Sequence, residues 1–246
     1  MNDAELAEVI TEIHHRSRCT YGAPRVHAEL VRLGRHCGRK RVARLMRSRQ
    51  LVGVHARRRW RRGRPDVAPA PDLVNRDFTA SGPDQVWAAD VTQFRTQEGW
   101  LFLAGVIDLW SRRVVGWSMS TSANSELVTD ALLMAFERRR PDRRVVHHSD
   151  RGAAYTSLAF SQRVAALELD QSFGSTGDCY DNAAVEAFWA TLKRELAWIH
   201  NTTTWPNRAD LRSALIDYIE GFYNPQRIQR RFDHQSPAEY EQHSAA

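Results

Sequence analysis

The stretch "QVWAADVTQF", residues 85–94, alternates strictly enough to be read as a strand. Val86, Ala88, Asp90, Thr92 and Phe94 fall on one face, because side chains along a strand alternate with period two. The same reading places a carboxylate, Asp90, inside an otherwise apolar strand. A buried carboxylate without a partner is costly, so Asp90 needs a cation, an arginine or hydrogen-bond donors.

The neighbouring runs extend the pattern. "WLFLAGVIDLW" (100–110) is almost wholly apolar, as expected of a strand covered on both faces. "SRR" makes a turn and "VVGWSMS" (114–120) returns, giving a three-stranded antiparallel meander. "SANSELVTDALLMAFERR" (122–139) reads as a helix capped by Ser122 or Asn124, with Leu127, Ala131 and Met134 inward. "VVHH" (145–148) is a short strand ending at Ser149-Asp150, "SLAFSQRVAALEL" (157–169) is a helix, and residues 169–173 allow a fifth strand. "DNAAVEAFWATLKRELAW" (181–198) is a long helix capped by Asp181 or Asn182, with Val185, Phe188, Leu192 and Leu196 inward and Glu186 on the other side. The order strand, strand, strand, helix, strand, helix, strand, helix predicts an α/β layered domain: a ribonuclease-H-like mixed sheet flanked by helices.

Upstream the pattern is helical and basic. Leu6, Val9, Ile10 and Ile13 share a face of a helix over residues 3–17. "YGAPRVHAELVRLG" (21–34) starts a helix at Pro24, lines it with Val26, Leu30 and Leu33, and stops at Gly34. "RKRVARLMRSRQL" (39–51) turns Val42, Leu45 and Met46 inward and Arg39, Lys40, Arg41, Arg44 and Arg47 outward. Two short helices joined by a tight turn, the second strongly basic, match a helix-turn-helix that enters a major groove. "HARRRWRRGRPDVAPAPD" (55–72) has no periodicity and reads as a linker whose arginines, Arg58 and Arg59 among them, track phosphates. The expected division is a small all-α module over 1–54, a basic linker over 55–82, the α/β core over 83–200 and a helical extension over 201–246.

Charge supports this division. Residues 1–70 carry 17 Lys/Arg against 6 Asp/Glu, and the rest carries 18 against 23. A basic third on a mildly acidic body points to a polyanion, here double-stranded DNA. No apolar run reaches the roughly 18 residues of a membrane span. The acidic, amphipathic start is unlike a signal peptide. Cys19, Cys37 and Cys179 are scattered, which disfavours a disulfide framework and a structural zinc module. A cytoplasmic protein with no membrane partner is expected.

Asp90, Asp150 and Glu186 converge in the expected layering. Three carboxylates without a thiolate suit Mg²⁺ or Mn²⁺, and two such ions would drive an in-line displacement at phosphorus. Other residues compete. An Asp at a strand end is often a turn residue, and Asp108, Asp178 and Asp181 are alternatives. His147 and His148, being adjacent, point to opposite faces, a poor geometry for one zinc ion. Ser149 lacks the spaced partners of a hydrolase nucleophile.

Six stretches, in order, then resemble a known family: "YGAPRVHAEL", "WAADVTQF", "GWLFLAGVIDLWSRRVVGWSMS", "HHSDRGAAYTS", "GDCYDNAAVEAFWATLKREL" and "YIEGFYNPQR". They cover roughly residues 14–240. The chain resembles the second-reading-frame product of bacterial insertion sequences of the IS-three family, whose transposases share a catalytic core with retroviral integrases. The resemblance implies that Asp90, Asp150 and Glu186 form an Asp-Asp-Glu triad holding two Mg²⁺ or Mn²⁺ ions when DNA is bound, with the family's separation of 35 residues between the last two. It implies a phosphate-binding Lys193, and makes the two histidines and Arg151 groups that flank the metals or face DNA. It further implies strand cleavage and strand transfer at element ends, a homo-oligomer on DNA and an upstream reading-frame product as partner. Two positions depart from the family's tail: Gln229 stands where a histidine is expected and Asp233 where a glycine is expected. The competing reading is a non-catalytic DNA-binding regulator or inactive remnant.

Overall fold

The computed structural model describes residues 2–55, 80–174 and 183–244. Three helices open the chain: α1 (Asp3–Arg16), α2 (Ala23–Arg32) and α3 (Arg39–Ser48). Then come β1 (Val86–Thr96), β2 (Gly99–Asp108), β3 (Val114–Ser120), α4 (Ser125–Arg139), β4 (Val146–Ser149), α5 (Leu158–Ala166) and β5 (Asp170–Phe173). The chain closes with α6 (Ala183–Ile199), α7 (Arg208–Ile216), a π-helical continuation (Asp217–Tyr223), a 3₁₀ turn (Arg230–Phe232) and α8 (Pro237–Ser244).

The five strands form one mixed sheet in the order β3-β2-β1-β4-β5. β1, β2 and β3 pair antiparallel through short turns. β4 pairs parallel to β1, and β5 parallel to β4, each reached through a helix, as parallel neighbours require. This is the ribonuclease-H-like mixed sheet expected from the order of elements.

Alternation along β1 divides the core. Ala88 and Phe94 face one side, with Val185, Phe188 and Leu192 of α6. Trp87 and Ala89 face the other, with Leu127, Ala131 and Leu132 of α4 and Phe160 of α5. Asn124 caps α4, its side chain accepting from the Leu127 N–H at 3.1 Å. Each fully buried Leu, Ile or Trp contributes on the order of 2 kcal/mol from lost water contact.

The N-terminal helices share the α6-side core. Leu6, Ile10, Ile13, Val26, Leu30, Val42 and Leu45 are continuous with it. Polar contacts add direction. The Tyr21 hydroxyl accepts from the Ile228 N–H at 2.7 Å, Trp198 donates to the Cys19 carbonyl at 2.8 Å, and Arg32 meets Glu239 at 2.6 Å. Under them lies a buried ion pair. Arg227 forks onto both oxygens of Glu195 on α6, at 2.8 and 2.7 Å, and the Tyr218 hydroxyl donates to the same carboxylate.

One expectation changes, and two fall outside the described residues. Leu33 does not line the α2 core; it is 50% exposed, because the helix ends at Arg32 and Leu33 turns out as its cap. The expected Asp181 or Asn182 cap of α6 lies outside the described residues, and so does nearly all of the 55–82 linker, with Arg58 and Arg59.

Candidate active site

The parallel pairing of β1 and β4 sets the site. Paired residues run from Val86 with Val146 to Ala89 with Ser149. One further step in that register brings Asp150 beside Asp90. Neighbouring strands lie about 4.8 Å apart, so the β4 chain leaves the sheet with its carboxylate next to that of β1.

Asp90 is half-buried on the α6 face. Its Oδ1 accepts from the Val91 N–H at 2.8 Å and its Oδ2 from the Trp189 indole at 3.0 Å. Its pKa is nonetheless pushed up from 3.8 to about 6. Burial is the main cause, and the Asp150 and Glu186 carboxylates add repulsion; the two hydrogen bonds oppose it. Asp90, on β1, thus lies in the field of Asp150, at the end of β4, and of Glu186, in the first turn of α6.

Asp150 is exposed, and its Oδ1 accepts from the Gly152 N–H at 2.9 Å. A Cβ on Gly152 would stand 2.9 Å from that same oxygen, so a side chain there would push the Asp150 carboxylate from its present position. Glu186 is exposed. Seven residues on, Lys193 lies on the same helix face, since seven steps of 100° return within about 20°. Its Nζ sits 5.4 Å from the centroid of the Phe94 ring, four residues along β1 from Asp90. Burial lowers the Lys193 pKa and the Asp90 carboxylate counters it, which places the ammonium in the same field. Among the described residues, no three His, Cys, Asp or Glu side chains draw close enough to enclose an ion. The carboxylates share a field without converging.

The competing residues resolve differently. Asp108 is a turn residue: it is buried and accepts from the backbone N–H groups of Asp84, Trp110 and Ser111 and from the Ser111 hydroxyl. Asp178 and Asp181 lie outside the described residues. Both histidines are buried. His147 is 0% exposed, packed against Phe160 and Tyr155 at ring distances of 5.3 and 6.0 Å, and neither ring nitrogen has a hydrogen-bond partner. Burial pushes its pKa down to about 4, so the ring is a neutral core side chain. His148 is buried too, its Nδ1 3.1 Å from the Ser172 hydroxyl on β5.

Among the basic candidates, Arg39, Lys40 and Arg151 are exposed. Arg41 and Arg44 both grip Asp3 of α1, at 2.7 and 2.6 Å, so two of the α3 arginines brace the helical module. Arg44 stays 62% exposed while doing so. Asp233, in place of the family's glycine, sits at φ +48°, a left-handed conformation that Asp tolerates better than most residues. Gln229, in place of the histidine, donates to the Tyr223 hydroxyl at 3.3 Å.

Sequence reasoning missed Trp189 and Gly105. The Trp189 ring lies over Gly105, which pairs with Asp90 across the β1–β2 ladder. A Cβ at Gly105 would be 2.7 Å from the ring. The available signal was the position of Trp189, one turn after Glu186 on α6.

Three family models match the chain. An HTH-like domain model matches residues 1–59, and two integrase core domain models match residues 80–179 and 186–244. The transposase InsF for insertion sequence IS3A of Escherichia coli (strain K12) is 41% identical over 97% of this chain and 82% of its own. A 31 kDa protein of insertion element IS600 from Shigella sonnei is 38% identical over 97% of this chain and 88% of its own. Among solved structures, the HTLV-2 integrase catalytic core domain in complex with magnesium superposes with a TM-score of 0.51 at 17% identity, over 66% of this chain and 99% of that one. A chain of the simian T-cell lymphotropic virus intasome gives a TM-score of 0.56 at 17% identity, over 94% of this chain and 74% of that one. At those identities the two structures speak to the fold.

Proposed function

Because the chain belongs to the insertion-sequence transposases of the IS-three family, we propose that it cuts DNA strands at the ends of its element and joins the freed 3′-hydroxyls to a second phosphodiester. The observation that carries this reading is the parallel register of β1 and β4, Ala89 with Ser149, which leads Asp150 out beside Asp90, while the Trp189 indole ties Asp90 to the helix that bears Glu186; burial and the two neighbouring carboxylates push the Asp90 pKa up. A half-buried carboxylate with two more carboxylates in its field is relieved by a cation. The donor set is all carboxylate oxygen, which fits Mg²⁺ or Mn²⁺, and the HTLV-2 core of the same fold was solved with magnesium. Two such ions would supply charge stabilisation at the attacking and leaving oxygens.

The chain's own residues do the rest. The Val91 N–H and the Trp189 indole fix both oxygens of Asp90, and the Gly152 N–H fixes Asp150. Glu186 rides on a rigid helix. Lys193, held over Phe94, neutralises a phosphate beside the carboxylates. Residues 1–54 form the DNA-binding module, with Arg39, Lys40 and Arg44 on the open face of α3 and with Arg58, Arg59 and Arg151 adding phosphate contacts. Residues 55–82 link it to a core over 83–200 that is extended by 201–246. The working form is a homo-oligomer on duplex DNA, assisted by an upstream reading-frame product. No helix among the described residues is long and apolar enough to cross a membrane, in keeping with a cytoplasmic protein.

The test is direct. The purified chain, alone and fused to the upstream product, is incubated with labelled element-end duplex and Mg²⁺. Mg²⁺-dependent 3′-end nicking and joined products, both abolished by a chelator, are expected. Binding without nicking in both preparations would instead favour the DNA-binding regulator.

A further inference from the structure

A second basic feature lies on the other flank of α6. A cavity of about 350 Å³ opens there, floored by Ala183, Ala187 and Thr191 and walled by Arg112, Arg231 and Gln229. Arg112 ends the β2–β3 turn. Its carbonyl accepts from the Tyr223 hydroxyl at 3.1 Å, tying the turn to the C-terminal extension. Yet the Arg112 Nε and Nη1 are buried and make no hydrogen bond.

Buried guanidinium nitrogens without acceptors are rare, because such donors lose water and gain nothing. Here the environment worsens the deficit. Burial, then the neighbouring charge of Arg231, pulls the Arg112 pKa down to about 10. Arg227 also lines the cavity, but Glu195 neutralises it. Among the described residues no carboxylate lines the cavity, and Asp108, the acid nearest in electrostatic effect, already accepts four hydrogen bonds. Two arginines, an amide donor and a small-residue floor therefore line one space to which the described residues supply no anion.

We propose that this cavity is a DNA-phosphate subsite, in which Arg112, Arg231 and Gln229 hold a backbone phosphate of the strand engaged at Asp90, Asp150 and Glu186. The placement is what such a strand needs. Ala183 and Ala187 lie within one helical turn of Glu186, at about 4.5 and 1.5 Å along the axis, and Ala187 is about 100° around it. A strand crossing the first turns of α6 at Glu186 thus has a second anchor on the adjoining flank. The exposed Arg231 can offer its planar fork to two phosphate oxygens at once, and Arg112 adds its uncompensated charge from beneath. The subsite rests on the strand-transfer reading for its ligand, whereas the uncompensated charge is a property of the fold.

The experiment compares wild type with Arg231→Gln, Arg112→Gln and Arg230→Gln, measuring duplex affinity for element-end DNA between low and moderate salt. Arg230 is exposed and does not line the cavity, so its variant removes the same charge elsewhere. Arg231→Gln and Arg112→Gln should weaken binding about 5- to 30-fold and flatten the slope of log affinity against log salt by about 0.9, the value of one phosphate contact. Arg230→Gln should change the slope by less than half of that. Arg231→Glu is the decisive fourth variant. It gives Arg112 a carboxylate partner, so thermal stability should rise while DNA affinity falls below that of Arg231→Gln. Unchanged slopes in both cavity variants, or equal losses from Arg230→Gln, would overturn the subsite. Failure of the wild-type chain to nick DNA, both alone and fused to the upstream product, would instead overturn the strand-transfer reading, a result scored on cleaved product and not on affinity.

Discussion

The Trp189 indole donates to Oδ2 of Asp90 at 3.0 Å, linking the helix that carries Glu186 to the strand that carries Asp90. The bond favours the ionised carboxylate and so offsets part of the repulsion around it. In Trp189→Phe the ring still covers Gly105 but the donor is gone. A hydrogen bond to a charged group is worth about 1.5–3 kcal/mol. The Asp90 pKa should rise further, and joining activity at pH 7 should fall roughly tenfold with the fold intact. A pH–rate profile whose acidic limb moves to higher pH is the expected signature.

Gly105 supplies the space for that ring. In Gly105→Ala the new methyl would meet Trp189 at 2.7 Å, so the indole must shift away from Asp90. Overpacking of this kind costs about 1–3 kcal/mol. Denaturant unfolding should show that loss, and joining activity should fall with it.

Asp90 makes stability depend on pH with a defined sign. Its folded pKa is about 6 against 3.8 in the unfolded chain, so the folded state holds the proton more tightly. Below about pH 4 both states are protonated and nothing is lost. Between about pH 4 and 7 the folded state is progressively destabilised, by about 1–3 kcal/mol. Asp90→Asn should therefore unfold at higher temperature than wild type at pH 8 and at the same temperature near pH 4. The gain is partial, because the amide turns an NH₂ group towards one of two donors. Mn²⁺ should raise the wild-type melting temperature at pH 8, with affinity falling about tenfold per pH unit below about 6.

Lys193 separates phosphate placement from metal binding. Lys193→Ala should lower joining at least tenfold and leave Mn²⁺ titration unchanged. Lys193→Arg should retain part of the activity, since the charge survives while the geometry shifts. Wild-type joining in both variants would reduce Lys193 to an ordinary surface lysine.

Local pattern carried much of this. The meander was legible because β1 alternates cleanly and β2 is apolar throughout, and Asp90 stood out as the one carboxylate on the inward face of β1. α6 was legible from its stripe, and Glu186 from its place off that stripe, whereas Lys193 came from the family resemblance. Contacts distant in sequence were not. Nothing near Asp150 reports that β4 pairs with β1 in a register that brings the two aspartates side by side. His147 looked polar and available, and only the packing of α5 shows it enclosed. The ion pair of Glu195 with Arg227 joins residues 32 apart, and neither sequence neighbourhood marks it. Arg41 and Arg44 read as groove-facing because periodicity places them outward; their shared partner, Asp3, lies on another helix.

The central claim is that Asp90, Asp150 and Glu186 act together on DNA phosphorus. The measurement that tests it is strand joining by Asp90→Asn, Asp150→Asn and Glu186→Gln with element-end duplex and Mn²⁺, each matched to wild type for thermal unfolding and DNA affinity. The expected result is loss of joining by at least a thousandfold in all three, with duplex binding within about threefold of wild type. Joining at the wild-type rate in any one of them would remove that residue from the site and contradict the claim.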